Sequence, residues 1–266
     1  MPMMYGESST SQWTYAKNVR SVAPDEPFRW LAAGWRDFLA APTASLGYGL
    51  LFVVASFLLT VGLWYAGAIY MLLPLAAGFM LLGPALTLGF QAISRDLERH
   101  ERPSFRVAVL AWRANAGPIF YAGLAFMFLF LLWLRLAELV FALSFPDTAG
   151  LGVQALLNAT FFTPEGLVFL VLFTLLGAAM AMLAFAGGAF ALPMLLERRV
   201  GMSEAIATSF TAVMRNAGVM VLWAALLVLL TAAGMAALYL GLIITLPLAG
   251  HATWHAYRAV IRPDTP

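Results

Sequence analysis

His251 and His255 stand four residues apart near the end of an apolar run, so on a helix their imidazoles share one face. Two imidazoles at that spacing can share a transition metal such as zinc or copper, and His100, Glu98 or Glu101 can supply a third ligand from a loop at the same end. They cannot bracket one haem, because both rings point the same way. The competing reading is an interfacial belt in which His251, Trp254, His255 and Tyr257 lie at headgroup depth, where amphipathic rings belong. Arg135 and Glu138, three apart, are an opposite-charge pair inside an apolar run, and ionisable groups at membrane depth are functional candidates by default. Counted from Pro118, however, Arg135 is about 26 Å along a helix, near its far boundary, where a guanidinium snorkels to water. Pro74, Pro84, Pro193 and Pro247 can break helices that line a substrate site, whereas Gly177, Ala181, Ala184 and Gly188 are spaced for close helix packing. There is no Gly-rich phosphate loop, nucleophile elbow, His-Glu-x-x-His or paired-carboxylate site, so catalysis of the soluble type has no obvious seat.

The elements that must position these residues are set by composition. Of 266 residues, 62% are hydrophobic and only 11% charged, against about 25% charged in soluble domains. The absence of cysteine excludes a disulfide scaffold. Apolar runs long enough to cross about 30 Å of hydrocarbon predict helical spans near 45–65, 69–92, 118–143, 166–192, 217–235 and 237–257. Residues 217–250 carry no charge and are too many for one crossing, so the run divides around Gly234. Between the third and fourth spans, residues 153–158 suit a short external helix. Residues 1–26 read as a disordered cytoplasmic tail, 27–262 as one membrane domain, and 263–266 as a short tail.

Charge sets the expected orientation. Of 15 Lys and Arg, all but Arg135 fall before span 1, between spans 2 and 3, between spans 4 and 5, or after span 6. The positive-inside rule then places both termini in the cytoplasm of a multi-pass inner-membrane protein. A formal charge of +2 gives no reason to expect nucleic acid; the expected partners are membrane lipids and other membrane proteins.

Three segments, about 27–99, 103–199 and 203–262, read as parallel copies of one unit: an amphipathic interfacial helix followed by a hairpin of two spans. The apolar faces are Phe28, Leu31, Trp35 and Phe38; then Phe105, Ala108, Val109 and Trp112; then Ile206, Phe210 and Val213, with Asp25, Ser104 and Ser203 as N-caps. Counting back from Arg95, Arg198 and Arg258 aligns the hairpin ends. In that alignment Leu88 and Ala92, and Ala191 and Leu195, stand where the last unit has its two histidines, so the scaffold itself does not require them.

Phe28-Arg29-Trp30-Leu31 through Gly34-Trp35-Arg36-Asp37, Pro74 to Phe79 through Gly83-Pro84, Leu192 to Arg198, and the closing Gly250-His251-Ala252-Thr253-Trp254-His255-Ala256-Tyr257-Arg258 together give the chain a resemblance over residues 20–261. It resembles a proteobacterial family of predicted integral membrane proteins catalogued only as a domain of unknown function. Glu197 stands where the family often has Asp, and Asn216-Ala217 where it often has Asn-Pro. The resemblance implies an all-α membrane fold and no established activity. Some members bear oxidase-subunit labels, but a haem-copper core needs about six histidines and this chain has 3. The function expected is a non-enzymatic one, exerted through lipid or membrane-protein contact, with no cofactor unless His251 and His255 hold a metal. The alternatives are a small transporter or channel, for which Thr60, Thr87, Thr174, Thr231 and Thr245 are the sparse polar lining, and a metal- or redox-linked membrane protein.

Overall fold

The computed structural model describes residues 19–146 and 153–262. The described chain is all-α save for one isolated antiparallel bridge between Val19 and Ile261. In order come α1 (Glu26–Ala40), α2 (Pro42–Tyr65), α3 (Leu72–Leu86), α4 (Leu88–Glu98), α5 (Phe105–Val109), α6 (Ala116–Ser144) and α7 (Val153–Phe162). They are followed by α8 (Pro164–Gly188), α9 (Ala191–Glu197), α10 (Met202–Arg215), α11 (Ala217–Ala236) and α12 (Leu242–Val260), with short 3-10 turns at Ile69–Met71 and Ala111–Asn115.

Among the described residues, five helical stretches are long and apolar enough to cross a membrane: Pro42–Tyr65, Ile69–Glu98, Ala111–Ser144, Pro164–Glu197 and Ala217–Ala236. The sixth expected crossing corresponds to α12, which is not among them. Two of the five are interrupted within a few residues of a proline, which has no N–H to donate. Pro84 lies inside α3, and the Thr87 hydroxyl donates to Gly83 O (2.9 Å) as α3 gives way to α4. Near Pro193, the junction of α8 and α9 is sealed by Ser209, which accepts from Phe190 N (3.2 Å) and donates to Ala186 O (2.8 Å). A borrowed hydroxyl thus satisfies backbone groups that the break leaves open.

Packing centres on α12, which lies against α1, α2, α4 and α11, while α3, α6 and α8 pack on one another and α10 closes on α8. Nearly the whole of α12 from Ala249 to Tyr257 is buried, the exception being the half-buried His255.

Several expectations need correction. The last turn falls at residues 237–241, with Leu238 and Tyr239 at φ of 52° and 64°, and not at Gly234. Gly234 is inside α11, and its missing side chain admits the returning chain: a Cβ there would lie 2.3 Å from Thr245 Oγ1. Ser104 does cap its helix, accepting from Val107 N (3.3 Å), but Asp25 makes no cap bond and instead pairs with Arg29 (2.8 Å), and Ser203 lies within α10 behind an N-cap at Gly201. The protein-facing side of α1 is Pro27, Trp30, Ala33, Gly34 and Phe38, and Phe28 and Trp35 face outward. The polar segment before α1 is docked from Val19 onward: Arg20 N donates to Val260 O (2.8 Å), and Asn216 binds both Val22 N (3.0 Å) and Arg20 O (3.0 Å). The remainder of the expected tail, residues 1–18, and the short tail 263–266 lie outside the described residues.

Candidate functional site

The two histidines of α12 sit side by side, as their spacing predicts, but each finds a partner from a distant part of the chain. His255 Nε2 lies 2.8 Å from Asp37 Oδ2 of α1. His251 is fully enclosed, with Nε2 2.9 Å from Ser45 Oγ of α2 and Nδ1 2.8 Å from Ser94 Oγ of α4. Ser45 and Ser94 thus engage both ring nitrogens of His251. Burial pushes the Asp37 carboxyl up, but hydrogen bonds from His255 and Ser94 outweigh it and hold the group below the ordinary carboxylate range. Four helices, α1, α2, α4 and α12, are thereby joined at the two histidines.

Ser45, His251, Ser94 and Asp37 include a hydroxyl within reach of an imidazole, the pairing that activates a nucleophile. Burial keeps it from reacting: Ser45 and His251 are at 0% exposure, and neither serine nor the histidine lines either cavity described below. Both nitrogens of His251 are already in use. Among the described residues no three of His, Asp and Glu are grouped so as to hold a metal. His100 and Glu101 are exposed after α4, His100 at φ 57°, and Glu98 is engaged elsewhere.

Glu98 belongs to a second cluster, one turn further along α12. It accepts from Trp254 Nε1 (2.9 Å) and from Arg258 Nη2 (2.8 Å). Arg258 Nη1 also donates to Glu197 (2.7 Å), which accepts from Tyr257 Oη and pairs with Arg198 (3.6 Å). Arg95 reaches Leu196 O (3.2 Å), and Arg198 donates to Arg262 O. The ends of α4, α9 and α12 therefore meet in one ion-paired knot. The spacing of Arg95, Arg198 and Arg258 aligned these ends in the sequence; Glu98, expected there as a possible metal ligand, is instead a partner of Arg258.

Below the knot lies a cavity of about 520 Å³. Thr87, Trp133, Trp223, Leu246 and Thr253 form its buried floor, and Thr174, Ala178, Met182, Ala225 and Val228 its exposed rim on α8 and α11. No charged side chain lines it. The hydroxyls of Thr87, Thr231 and Thr253 donate to carbonyls of their own helices (2.9, 2.8 and 2.7 Å). Trp223, by contrast, is completely buried and its Nε1 has no hydrogen-bond partner among the described residues; nor has Nε1 of the buried Trp30, which meets it edge to face at 5.4 Å. A second, shallower hollow of about 440 Å³ runs past Tyr48, Gly89, Trp112 and Ile119.

Arg135 and Glu138 do pair, at 2.9 Å, but the arginine side chain is 81% exposed and far from either cluster in sequence and packing. Of the marked prolines and small residues, Pro84, Gly177 and Ala181 line the larger cavity. Trp223, which completes its floor, sits in an otherwise featureless apolar run that gave no hint of it.

No curated protein and no solved structure matches the chain. Residues 71–197, from the turn before α3 to the Glu197 of the ion-paired knot, match the model of a family described as predicted integral membrane protein (DUF2189), a domain of unknown function.

Proposed function

We propose that the protein crosses a bacterial inner membrane six times with both termini in the cytoplasm, as three parallel units, and acts without catalysis through contact with lipid or another membrane protein. In this reading α12 is the sixth crossing, and α1, the α5 segment and α10 lie at the cytoplasmic interface. The exposed Phe28, Trp35, Phe105 and Trp112 then dip into the acyl boundary, with arginines above them. Support for the parallel units comes from the ion-paired knot, since three hairpins that start and end on one side bring their closing residues to the same level. The function itself rests on where polarity sits. Asp37, Ser45, Ser94 and His251 close on one another, whereas long helices expose Leu58, Phe128, Leu172 and Leu229. What such a surface offers is apolar contact.

Reporter fusions at residue 150 and at the C-terminus test the topology: alkaline phosphatase is expected to be active at the first and inactive at the second. A cytoplasmic residue 150, or an odd number of crossings, overturns it. Protein and lipid recovered in mild detergent identify the partner, and solute flux in proteoliposomes would replace this reading with transport.

A further inference from the structure

We infer that the interfacial segment of the second unit, residues 99–113, binds an anionic phospholipid, whose phosphate lies against Arg106 and Arg113 while an acyl chain of the same molecule occupies the hollow beside Trp112. The inference deepens the proposed lipid contact and rests on the membrane placement given above.

Charge selects the ligand. Most acids at this end of the bundle are spent inside the protein: Asp25 and Glu26 pair with Arg29, Asp96 with Arg95, Asp37 with His255, and Glu98 and Glu197 with Arg258. Arg99, Arg102, Arg106 and Arg113 are left exposed and make no ion pair among the described residues. Residues 99–113 set these four arginines against one glutamate, Glu101. A formal charge of +2 for the whole chain therefore conceals a local cationic surface. Near a membrane face, each such arginine favours anionic lipid by about fivefold.

Geometry puts two of the four at the edge of an apolar hollow. The Arg113 guanidinium carbon lies 5.4 Å from the centroid of the Trp112 ring, and Trp112 lines the hollow of about 440 Å³ described above. Arg106 stands one turn before Leu110, whose N–H donates to Arg106 O (3.0 Å), and the intervening Val109 lines the same hollow. Leu88, Gly89, Ala111 and Leu192 are its buried lining, whereas Phe120, Leu124 and Met127 of α6 are exposed. Because α6 starts at Ala116, three residues after Arg113, those exposed residues lead away from the arginine into the hydrocarbon on one helix face, at steps of four and three. The site is thus cationic where the chain enters the membrane and apolar below that level. A lipid with an anionic head matches both parts; a soluble anion matches one.

The other two units lack this combination. Arg29 of the first is held by Asp25 and Glu26, and Arg215 of the third reaches Ser21 (3.4 Å). Arg36 is exposed, but neither α1 nor α10 lines either cavity.

The test uses the purified, delipidated full chain in mild detergent, with phosphatidylglycerol and phosphatidylcholine of the same acyl chains as probes. Native mass spectrometry reads the bound lipid. Wild type is expected to bind phosphatidylglycerol about tenfold or more tightly than phosphatidylcholine, with the preference shrinking as salt is raised. Arg106→Gln/Arg113→Gln is expected to bring phosphatidylglycerol down to the level of phosphatidylcholine; both side chains are exposed, so folding does not hinge on them. Arg29→Gln/Arg215→Gln removes the same charge and is expected to keep the preference. Gly123 lines the hollow with nothing within 4 Å of an added Cβ, so Gly123→Leu fills space there and is expected to reduce both lipids. Equal binding of the two lipids by wild type, or equal losses in the two double variants, overturns the arginine site. Binding untouched by Gly123→Leu overturns the hollow as the seat of the chain. A dimer that disappears in Arg106→Gln/Arg113→Gln while lipid binding stays the same overturns the lipid and assigns the surface to a second copy. Topology is read by the reporter fusions alone, so failure here and failure there are separable.

Discussion

At Gly34, α1 crosses α12 backbone against backbone. A Cβ added there would lie 2.6 Å from Ala252 N and 2.9 Å from its Cα, about 0.8 Å short of the 3.4 Å at which ordinary contact begins. Backbone atoms of a buried helix cannot swing away as a side chain end does, so Gly34→Ala must push the two helices apart. The same face of α1 carries Trp30 at 2% and Phe38 at 7% exposure, and the neighbouring Asp37 holds His255 at 2.8 Å. Separation loosens all three. Overpacking of this kind costs about 1–3 kcal/mol, and replacing a helical glycine returns about 0.5–1 kcal/mol through the unfolded chain. The cost wins, by about 1–2 kcal/mol, which lowers the melting temperature by about 3–6 °C in a chain of this size. Thermal unfolding in detergent, followed by tryptophan fluorescence, measures it. Gly123→Ala is the control, because nothing lies within 4 Å of the added carbon and only the backbone gain remains. A Gly34→Ala protein as stable as wild type, alongside a stabilised Gly123→Ala, would refute the crossing as described.

Asp37 has its carboxyl depressed in the folded state, so the folded protein binds fewer protons than the unfolded chain as pH falls. Its contribution is therefore full above the ordinary value of 3.8 and fades as pH drops through the lower folded value. Asp37→Asn is expected to cost about 2 kcal/mol at neutral pH and to flatten the acid limb of a stability profile below the ordinary value of 3.8. Arg258→Met leaves Glu98 and Glu197 without their shared cation; because these groups are partly exposed, the expected loss is about 1–2 kcal/mol, reduced in Arg258→Met/Glu197→Gln, and a double-mutant cycle reads the coupling. Ser94→Ala or Ser45→Ala strands one nitrogen of a fully buried imidazole, a loss of about 1–3 kcal/mol seen in unfolding, whereas His251→Ala/His255→Ala is expected to leave the transition-metal content of the purified protein unchanged by elemental analysis.

Helix lengths were legible because lipid imposes them. The run expected at 45–65 is Pro42–Tyr65, that at 166–192 is part of Pro164–Glu197, and 217–235 is Ala217–Ala236. The last turn was misplaced because residues 217–250 offer no charge, and the bend is made by Leu238 and Tyr239 at positive φ, a conformation their side chains do not advertise. For the site, the i, i+4 spacing of His251 and His255 correctly put them on one face. Their partners were out of reach of any local rule: Ser45, Ser94 and Asp37 lie 206, 157 and 218 residues away in sequence. Ser45 and Ser94 are small polar residues in segments full of alternatives, and only the packing of α2 and α4 on α12 singles them out.

That packing also explains why the least hydrocarbon-like of the long helices is the best buried. A helix that faces lipid must be apolar because lipid offers no hydrogen-bond partner, but one enclosed by other helices is solvated by protein and escapes that demand. In α12, His251 is met by two hydroxyls, Trp254 and Arg258 by Glu98, His255 by Asp37, and Tyr257 by Glu197. Between them the polar residues of the closing His-Ala-Thr-Trp-His-Ala-Tyr-Arg string reach α1, α2, α4 and α9, and the alanines between them let those segments approach. A length-and-apolarity test passes over α12 for the same reason that the bundle is built around it. The string from His251 to Arg258 is then a set of instructions for assembly.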